Sequence, residues 1–266
     1  MNSMSITKKD LPVSPERREE LSIFCRERTV SGLLKILGNI TDVLRSDYLD
    51  KTLPMPDRAI RNLRVMPLAW RIALRLSCLS VAMEAMRGCH RKNIAACYPW
   101  RAGLAFSHSF FQLGIGQHLH IGLKRDEEEP HQTGEIYLPL VTSKFNGHID
   151  RVIISDPMLA TGGSFVTVIE QLLEFFPPEK IILASVVAAP EGIFNLANLY
   201  PGIKVISAAL DSHLNELGYI QPGLGDAGDK FFDRVDLEYF QQVKSIFSSE
   251  EWLLLVRKIQ EANPID

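Results

Sequence analysis

From residue 93 to residue 232, short apolar runs rich in valine and isoleucine alternate with stretches of helical periodicity. The apolar runs predict strands over residues 94–97, 119–123, 136–140, 151–155, 181–188 and 204–209. Strands that alternate with helices in this way join into one sheet of mainly parallel strands, and the helices cover its faces. The sequence therefore predicts an α/β fold with a mainly parallel sheet flanked by helices.

The length of the chain fits one large domain, or one domain with appended segments. Of its 266 residues, 46% are hydrophobic, which is enough for one core and does not imply a second. We expect a helical N-terminal extension over residues 1–92, the α/β core over residues 93–235 and a helical C-terminal tail over residues 236–266. Within the first part, helical spacing of apolar residues predicts helices over residues 30–44 and 67–86.

Charge and hydropathy argue against two classes of partner. A formal net charge of -3 and a pI of about 6.2 give no general attraction to nucleic acid. The most apolar long stretch, residues 66–86, is interrupted by Arg71, Arg75 and Glu84, so we expect an amphipathic helix and no membrane span. The cysteines show no Cys-x-x-Cys spacing and the chain begins with polar residues, which indicates a reducing, cytoplasmic compartment.

The strongest chemical signal lies in residues 152–164. Here an apolar run ends at Asp156, Pro157 ends the strand, and two adjacent glycines follow between Thr161 and Ser164. Apolar residues then recur at helical spacing, which predicts a helix that begins near Ser164. A helix N-terminus favours a phosphate, and a carboxylate at a strand end can accept hydrogen bonds from sugar hydroxyls. The stretch therefore indicates a site for a phosphorylated ribose, with an ordinary strand-loop-helix connection as the alternative.

Four segments resemble the uracil phosphoribosyltransferase family, in that family's order. Residues 156–164, with the sequence DPMLATGGS, resemble its loop for 5-phospho-α-ribose 1-diphosphate (PRPP). Residues 101–104 resemble its pyrophosphate-side arginine motif, and residues 122–128 resemble its mobile loop with a second arginine. Residues 218–230, with the sequence GYIQPGLGDAGDK, resemble its uracil loop. The resemblance spans residues 101–232 and implies the type I phosphoribosyltransferase fold.

The resemblance also implies which residues form the site. Arg101 and Arg125 are expected to stabilise the pyrophosphate and Asp156 to hold the ribose, and these three are the expected catalytic residues. The expected PRPP contacts are Arg101, Arg125, Asp156, Pro157, Met158, Leu159, Ala160, Thr161, Gly162, Gly163, Ser164 and Asp226. The expected uracil contacts are Ile220, Gly225, Asp226 and Ala227. Magnesium is expected to arrive bound to PRPP, without a direct protein ligand.

Simpler interpretations exist for several of these residues. An arginine at a strand end, such as Arg101, is often only a surface charge. The acidic residues that follow Arg125 fit a solvated loop, although a charged loop can also close over a substrate. The glycines of residues 218–230 fit a surface loop without function. His118 and His120 point to the same side of a predicted strand, but no third ligand for a metal is evident.

The implied reaction joins uracil to the phosphoribosyl group of PRPP and gives uridine monophosphate (UMP) and pyrophosphate. Two alternatives stay open: a phosphoribosyltransferase for another base, and a non-catalytic regulator that binds PRPP or a nucleotide. The residues that follow the uracil loop, 231–234, depart from the family pattern, and so does the N-terminal third of the chain. The resemblance implies a homo-oligomer whose arrangement is not assigned, and leaves GTP open as an effector.

Overall fold

The computed structural model of the protein describes residues 5–38, 68–125, 133–140 and 148–225. The strands of its main sheet are β1 (Leu34–Ile36), β2 (Ile94–Trp100), β3 (Gln117–Arg125), β4 (Thr133–Leu138), β5 (Arg151–Ser155), β6 (Met158–Leu159), β7 (Ile181–Ala188) and β8 (Lys204–Leu210). Within the described residues the order across the sheet is β1-β8-β7-β5-β2-β3-β4, and β6 pairs with β7 past the end of β5. Within the described part of this sheet, the β3–β4 pair is antiparallel and the other pairs are parallel. The predicted mainly parallel sheet is confirmed.

Helices lie on both faces of this sheet. They are α1 (Pro15–Val30), α2 (Leu68–Met86), α3 (Ser107–Gln112), α4 (Gly163–Leu173) and α5 (Pro190–Leu199). Alternate residues of β2 enter two separate cores: Ala96 and Tyr98 pack with α2 and α3, whereas Ala95 and Cys97 pack with α1, α4 and α5. A strand that is buried on both faces has to be apolar throughout, which explains the continuous apolar runs in the sequence.

The predicted strands agree closely with the observed ones. The strands over residues 151–155 and 181–188 have the predicted bounds, and β2 extends three residues further than predicted, to Trp100. The helix predicted over residues 67–86 is present as α2. In the part of the chain that the structure describes, no helix is long and apolar enough to cross a lipid bilayer.

The helix predicted over residues 30–44 is wrong where the structure describes it. Helix α1 ends at Val30, Gly32 turns the chain with a φ of +76°, and Leu34 then enters β1. β1 pairs in parallel with β8, and the Leu33 carbonyl accepts a hydrogen bond from the Val205 N–H at 2.9 Å. The apolar spacing that suggested a helix comes from a helix end, a turn and a short strand in succession. Residues 39–44 and the predicted helices of the tail lie outside the described residues.

Candidate active site

Asp156 stands at the carboxyl end of β5, where the strand gives way to the glycine-containing loop. Its backbone N–H donates to the Ala184 carbonyl of β7 at 3.0 Å, and its Oδ1 accepts a hydrogen bond from the Met158 N–H at 2.9 Å. The side chain is 8% exposed. Because its own loop holds it in place, the carboxylate is oriented before any ligand arrives.

Gly162 forms the turn between this loop and α4. Its φ of +90° and ψ of -6° lie in the left-handed region, which costs a residue with a Cβ about 1–2 kcal/mol. Gly162 is also the N-cap of α4 and supplies no capping side chain. The first N–H groups of a helix have no intrahelical partner, so at an uncapped N-terminus they are suited to bind an anion. We call residues 160–164 the phosphate loop, after the phosphate binding that the sequence predicts for them.

Arg101 follows β2 directly, beside the end of β5 in the sheet. It is exposed, and the peptide bond that precedes it is cis. Two residues later, a Cβ on Gly103 would lie 2.6 Å from the Ser155 carbonyl oxygen and 2.9 Å from Pro99 Cδ. Only glycine fits this approach without a shift of the backbone. The turn after β2 therefore packs against the last residue of β5, next to Asp156.

Arg125 is the last residue of β3, which is the other parallel neighbour of β2. In the register of the two strands Gly122 lies opposite Trp100, so Arg125 lies three positions beyond the level of Trp100 at the carboxyl end. Its backbone pairs with Thr133 of β4. The side chain of Arg125 and residues 126–132 lie outside the described residues.

The predicted uracil loop begins with a small hairpin beyond β8. Strands β9 (His213–Leu214) and β10 (Ile220–Gln221) pair in antiparallel fashion, which buries Ile220 to 2% exposure. Asp211 follows β8, and its buried Oδ2 accepts a hydrogen bond from the Gly223 N–H at 2.8 Å. Gly225 has a φ of +73° and is the last described residue of the loop. Asp226 and Ala227 lie outside the described residues.

All the described candidates follow the carboxyl ends of parallel strands. Arg101 follows β2, Arg125 ends β3, Asp156 and the phosphate loop follow β5, and the hairpin with Ile220 follows β8. Because these strands are parallel, their carboxyl ends meet at one edge of the sheet, which is where ligands bind in open α/β folds. The fold thus brings the described candidates to a common edge.

Three buried polar residues of this region were missed in the sequence. They are Asp211, Glu191 and Asn195, each less than one tenth exposed. Asp211 lies two residues after the predicted strand 204–209, much as Asp156 follows the predicted strand 151–155, and that position could have singled it out. Glu191 and Asn195 lie in α5. Residues 187–192 resemble the family, but the sequence gives no role to Glu191 and does not mark Asn195.

Glu191 links α5 to the hairpin. Its Oε1 accepts a hydrogen bond from the Leu214 N–H at 2.9 Å, while its buried Oε2 has no hydrogen-bond partner. Burial raises the pKa of this carboxyl above its ordinary range. The residue thus anchors strand β9, which precedes the predicted uracil loop.

The histidine pair of β3 belongs to an aromatic cluster with β2. The Tyr98 hydroxyl contacts His118 Nδ1 at 2.7 Å, and Trp100 Nε1 donates to His120 Nδ1 at 3.0 Å. His118 Nε2 donates to the Ile115 carbonyl at 2.8 Å, and the ring stacks on Phe111. Burial lowers the pKa of both imidazoles. Among the described residues, no three His, Cys, Asp or Glu side chains gather as metal ligands would.

Comparisons with known proteins identify the family. The sequence matches the family described as "Uracil phosphoribosyltransferase" over residues 79–233. It is 34% identical over 221 residues to the uracil phosphoribosyltransferase of Streptococcus uberis, and this match covers 82% of the chain and 94% of that protein. This chain belongs to the uracil phosphoribosyltransferase family.

Two further matches extend this result. The chain is 47% identical over 136 residues to the uracil phosphoribosyltransferase of Malacoplasma penetrans, a match that covers 50% of the chain and 62% of that protein. The solved structure of the AQ2163 protein from Aquifex aeolicus superposes with a TM-score of 0.56 at 24% identity, over 69% of the chain and 96% of that structure. This structural match supports the fold. The family match includes all the candidate site residues, and β1 and α1 lie outside it.

Proposed function

We propose that the protein is a uracil phosphoribosyltransferase, which converts uracil and PRPP to UMP and pyrophosphate in pyrimidine salvage. The observation that carries this proposal is the loop from Asp156 to Ser164. There a buried, oriented carboxylate and an uncapped helix N-terminus follow one strand, in a chain that belongs to this family. A carboxylate is suited to the ribose hydroxyls and the helix N-terminus to the 5-phosphate.

Charge stabilisation accounts for the proposed catalysis. Bond breaking at the anomeric carbon leaves positive charge on the ribose and builds negative charge on the departing pyrophosphate. In the proposal Arg101 and Arg125 stabilise the pyrophosphate, and Asp156 fixes the ribose so that uracil can attack from the other side. No covalent nucleophile is required.

Magnesium enters this proposal with the substrate. The pyrophosphate oxygens of PRPP are proposed to carry the ion, because Mg²⁺ prefers hard oxygen ligands and often binds through substrate phosphates. In the proposal the ion has no direct ligand from the protein, and Asp156 keeps its role at the ribose hydroxyls. When bound, Mg²⁺ neutralises part of the negative charge of the leaving group.

The base is proposed to bind through the backbone of the hairpin and the glycine turn. Uracil presents O2, N3–H and O4 in one plane, and backbone N–H and C=O groups can recognise this pattern without a charged side chain. The proposed contacts are the backbone at Ile220 and the turn of Gly225, Asp226 and Ala227. The Asp211 bond to Gly223 supports this loop from the sheet side.

The decisive experiment follows pyrophosphate release from purified protein with PRPP, Mg²⁺ and a panel of bases. Activity with uracil and not with purines is the expected result. Release only with another base would replace uracil in the proposal. PRPP binding without turnover on any base would identify a regulator in place of an enzyme.

The remaining proposals concern the whole protein. We infer a cytoplasmic homo-oligomer, with a core over residues 93–235 and extensions over residues 1–92 and 236–266. GTP is the effector to test first, because the family resemblance leaves an effector site open. Light scattering on the full-length protein, with and without GTP, measures the oligomeric state. A monomer under both conditions would contradict the inference.

A further inference from the structure

One face of α5 forms the support on which the phosphate loop rests. Gly192, Asn195 and Leu196 stand three and four residues apart and therefore share that face. A Cβ on Gly192 would lie 2.2 Å from the Ala160 carbonyl oxygen, and a Cβ on Gly162 would lie 3.1 Å from Leu196 Cγ. The two glycines allow loop and helix to approach more closely than any other residue would.

Asn195 connects to the loop by a hydrogen bond. Its buried amide Nδ2 donates to the Thr161 carbonyl at 3.1 Å and to the Ile6 carbonyl at 3.0 Å. Its Oδ1 accepts from the Ile6 N–H at 2.7 Å. The orientation of the amide is fixed by these partners, because two carbonyls need donors and one N–H needs an acceptor. The side chain thus has its amide oxygen and both amide hydrogens engaged.

The bond to the Thr161 carbonyl constrains the loop N–H groups. In a planar trans peptide the C=O and the following N–H point in opposite directions. Because Asn195 holds the Thr161 carbonyl toward α5, the Gly162 N–H points away from α5. An anion at the N-terminus of α4 would lie on that outer side.

The same amide is held by the N-terminal segment. Ile6 and Asn195 are separated by 189 positions in the sequence, and their contact is a matched pair of hydrogen bonds. Ile6 packs in a small apolar core with Val13, Leu21 and Phe194, which precedes Asn195 in α5. A segment that lies outside the family match therefore holds the residue behind the phosphate loop.

We propose that Asn195 is a positioning residue for the phosphate loop, and that the backbone of Ile6 keeps its amide in place. The inference rests on the proposed function, since it assumes that the loop receives the 5-phosphate of PRPP. If this is right, the N-terminal segment affects the affinity for PRPP and does not affect the affinity for uracil.

The test compares Asn195→Ala with Asn93→Ala in the full-length protein. Asn93 also donates a side-chain hydrogen bond, to Asp150 at 2.7 Å, but it precedes β2 at the opposite edge of the sheet. For Asn195→Ala we expect the KM for PRPP to rise about tenfold, the usual effect of a lost buried hydrogen bond, with the KM for uracil unchanged. For Asn93→Ala both constants should stay as in the wild type. A purely structural role would reduce the amount of folded enzyme and leave the KM for PRPP unchanged.

A second variant covers the case in which Asn195→Ala does not fold. Ile6→Pro removes the N–H that donates to Asn195 Oδ1, replaces the buried Ile6 side chain with a smaller apolar ring, and leaves the Asn195 contact with Thr161. A smaller rise in the KM for PRPP is therefore expected, about threefold. Unchanged KM values for PRPP in the folded variants, beside an active wild type, would overturn this inference and leave the proposed function intact.

Calorimetry with PRPP and Mg²⁺ separates the two proposals further. Weaker PRPP binding by Asn195→Ala, in a protein inactive on every base, would support the positioning role and reject the enzyme. Absence of PRPP binding by the wild type would reject both.

Discussion

Asp156 and Arg101 are the two described side chains on which the proposed chemistry depends most. Asp156 is buried and accepts a hydrogen bond from the Met158 N–H. Arg101 is exposed and follows the neighbouring strand at the same edge of the sheet. Asp156→Asn keeps the size of the side chain and removes its charge, and Arg101→Ala removes the charge that is proposed to stabilise the pyrophosphate. We expect each change to lower kcat by about 10²-fold or more, because a lost charged contact in a transition state costs about 2–4 kcal/mol.

The measurements are pyrophosphate release and thermal melting. Neither substitution empties a core position, so the melting temperature should stay close to that of the wild type. Near-normal turnover in both variants would remove Asp156 and Arg101 from the proposed site.

Substitution of Gly162 can show whether backbone strain alone, or the geometry of the phosphate loop, affects PRPP binding. Gly162→Ala would place a Cβ in the left-handed region and 3.1 Å from Leu196. Gly32→Ala is the matched control, because Gly32 has a φ of +76° and nothing within 4 Å of its Cβ position. Both variants should lose about 1 kcal/mol of stability, but only Gly162→Ala should raise the KM for PRPP.

Urea unfolding and steady-state kinetics on the two glycine variants give the comparison. If both variants bound PRPP as the wild type does, the turn at Gly162 would have no part in phosphate binding.

At the scale of elements, the histidines of β3 contribute to the pH dependence of stability. Burial holds the pKa of His118 and of His120 below the ordinary value. The folded state therefore favours neutral rings, and as the pH falls the unfolded chain takes up protons first. Stability is fully present above the ordinary histidine pKa, about 6.5, and is lost as the pH falls through that value toward the lower folded-state pKa.

The variant that tests this is His118→Gln, which does not titrate. We expect the free energy of unfolding to fall less steeply between about pH 7.5 and pH 5.5 in this variant than in the wild type. Equal slopes in the wild type and in His118→Gln would show that His118 does not contribute.

Elements that depend on local pattern were predictable, and those that depend on distant partners were not. The β5 strand and the start of α4 follow from apolar runs, prolines and glycines within a few residues of each other. By contrast, β1 exists because β8 offers it an edge, and the same apolar spacing fits a helix equally well. The antiparallel direction of β4 is likewise absent from the sequence pattern.

The candidate site also contains residues that a local sequence pattern reveals and residues that only the fold reveals. Asp156 and its loop were predictable because the chemistry lies within nine consecutive residues. Asn195 was not, because its partners Ile6 and Thr161 are far from it in sequence and only the fold brings them together. Supporting residues such as Asn195 can be recognised only from their burial and their contacts in the fold, and a single sequence shows neither.

At the scale of the molecule, the N-terminal residues are built into the sheet. Leu34 of β1 is 1% exposed and packs in the same core as α4 and α5. We expect Leu34→Ala to lower the free energy of unfolding by about 2–5 kcal/mol, the usual cost of a truncated core leucine. Val30→Ala is the control, since Val30 is 90% exposed at the end of α1 and should change stability little.

The comparison uses urea unfolding of both variants, and each unfolding transition is monitored with two independent spectroscopic probes. A single transition that shifts for Leu34→Ala would mean that β1 unfolds together with the sheet. A transition unchanged by Leu34→Ala would mean that the N-terminal segment is an independent appendage.

The order of strands has one more consequence. From β2 the chain moves outward to β3 and β4, whereas from β5 it moves the opposite way to β7 and β8. The connections that leave β2 and β5 therefore diverge, and in open α/β folds this arrangement places the ligand crevice between the carboxyl ends of the two neighbours. Its position is a property of connectivity and not of any one side chain. Loops of other lengths could be exchanged on this scaffold without relocating the crevice, which gives a single topology a route to new acceptor molecules.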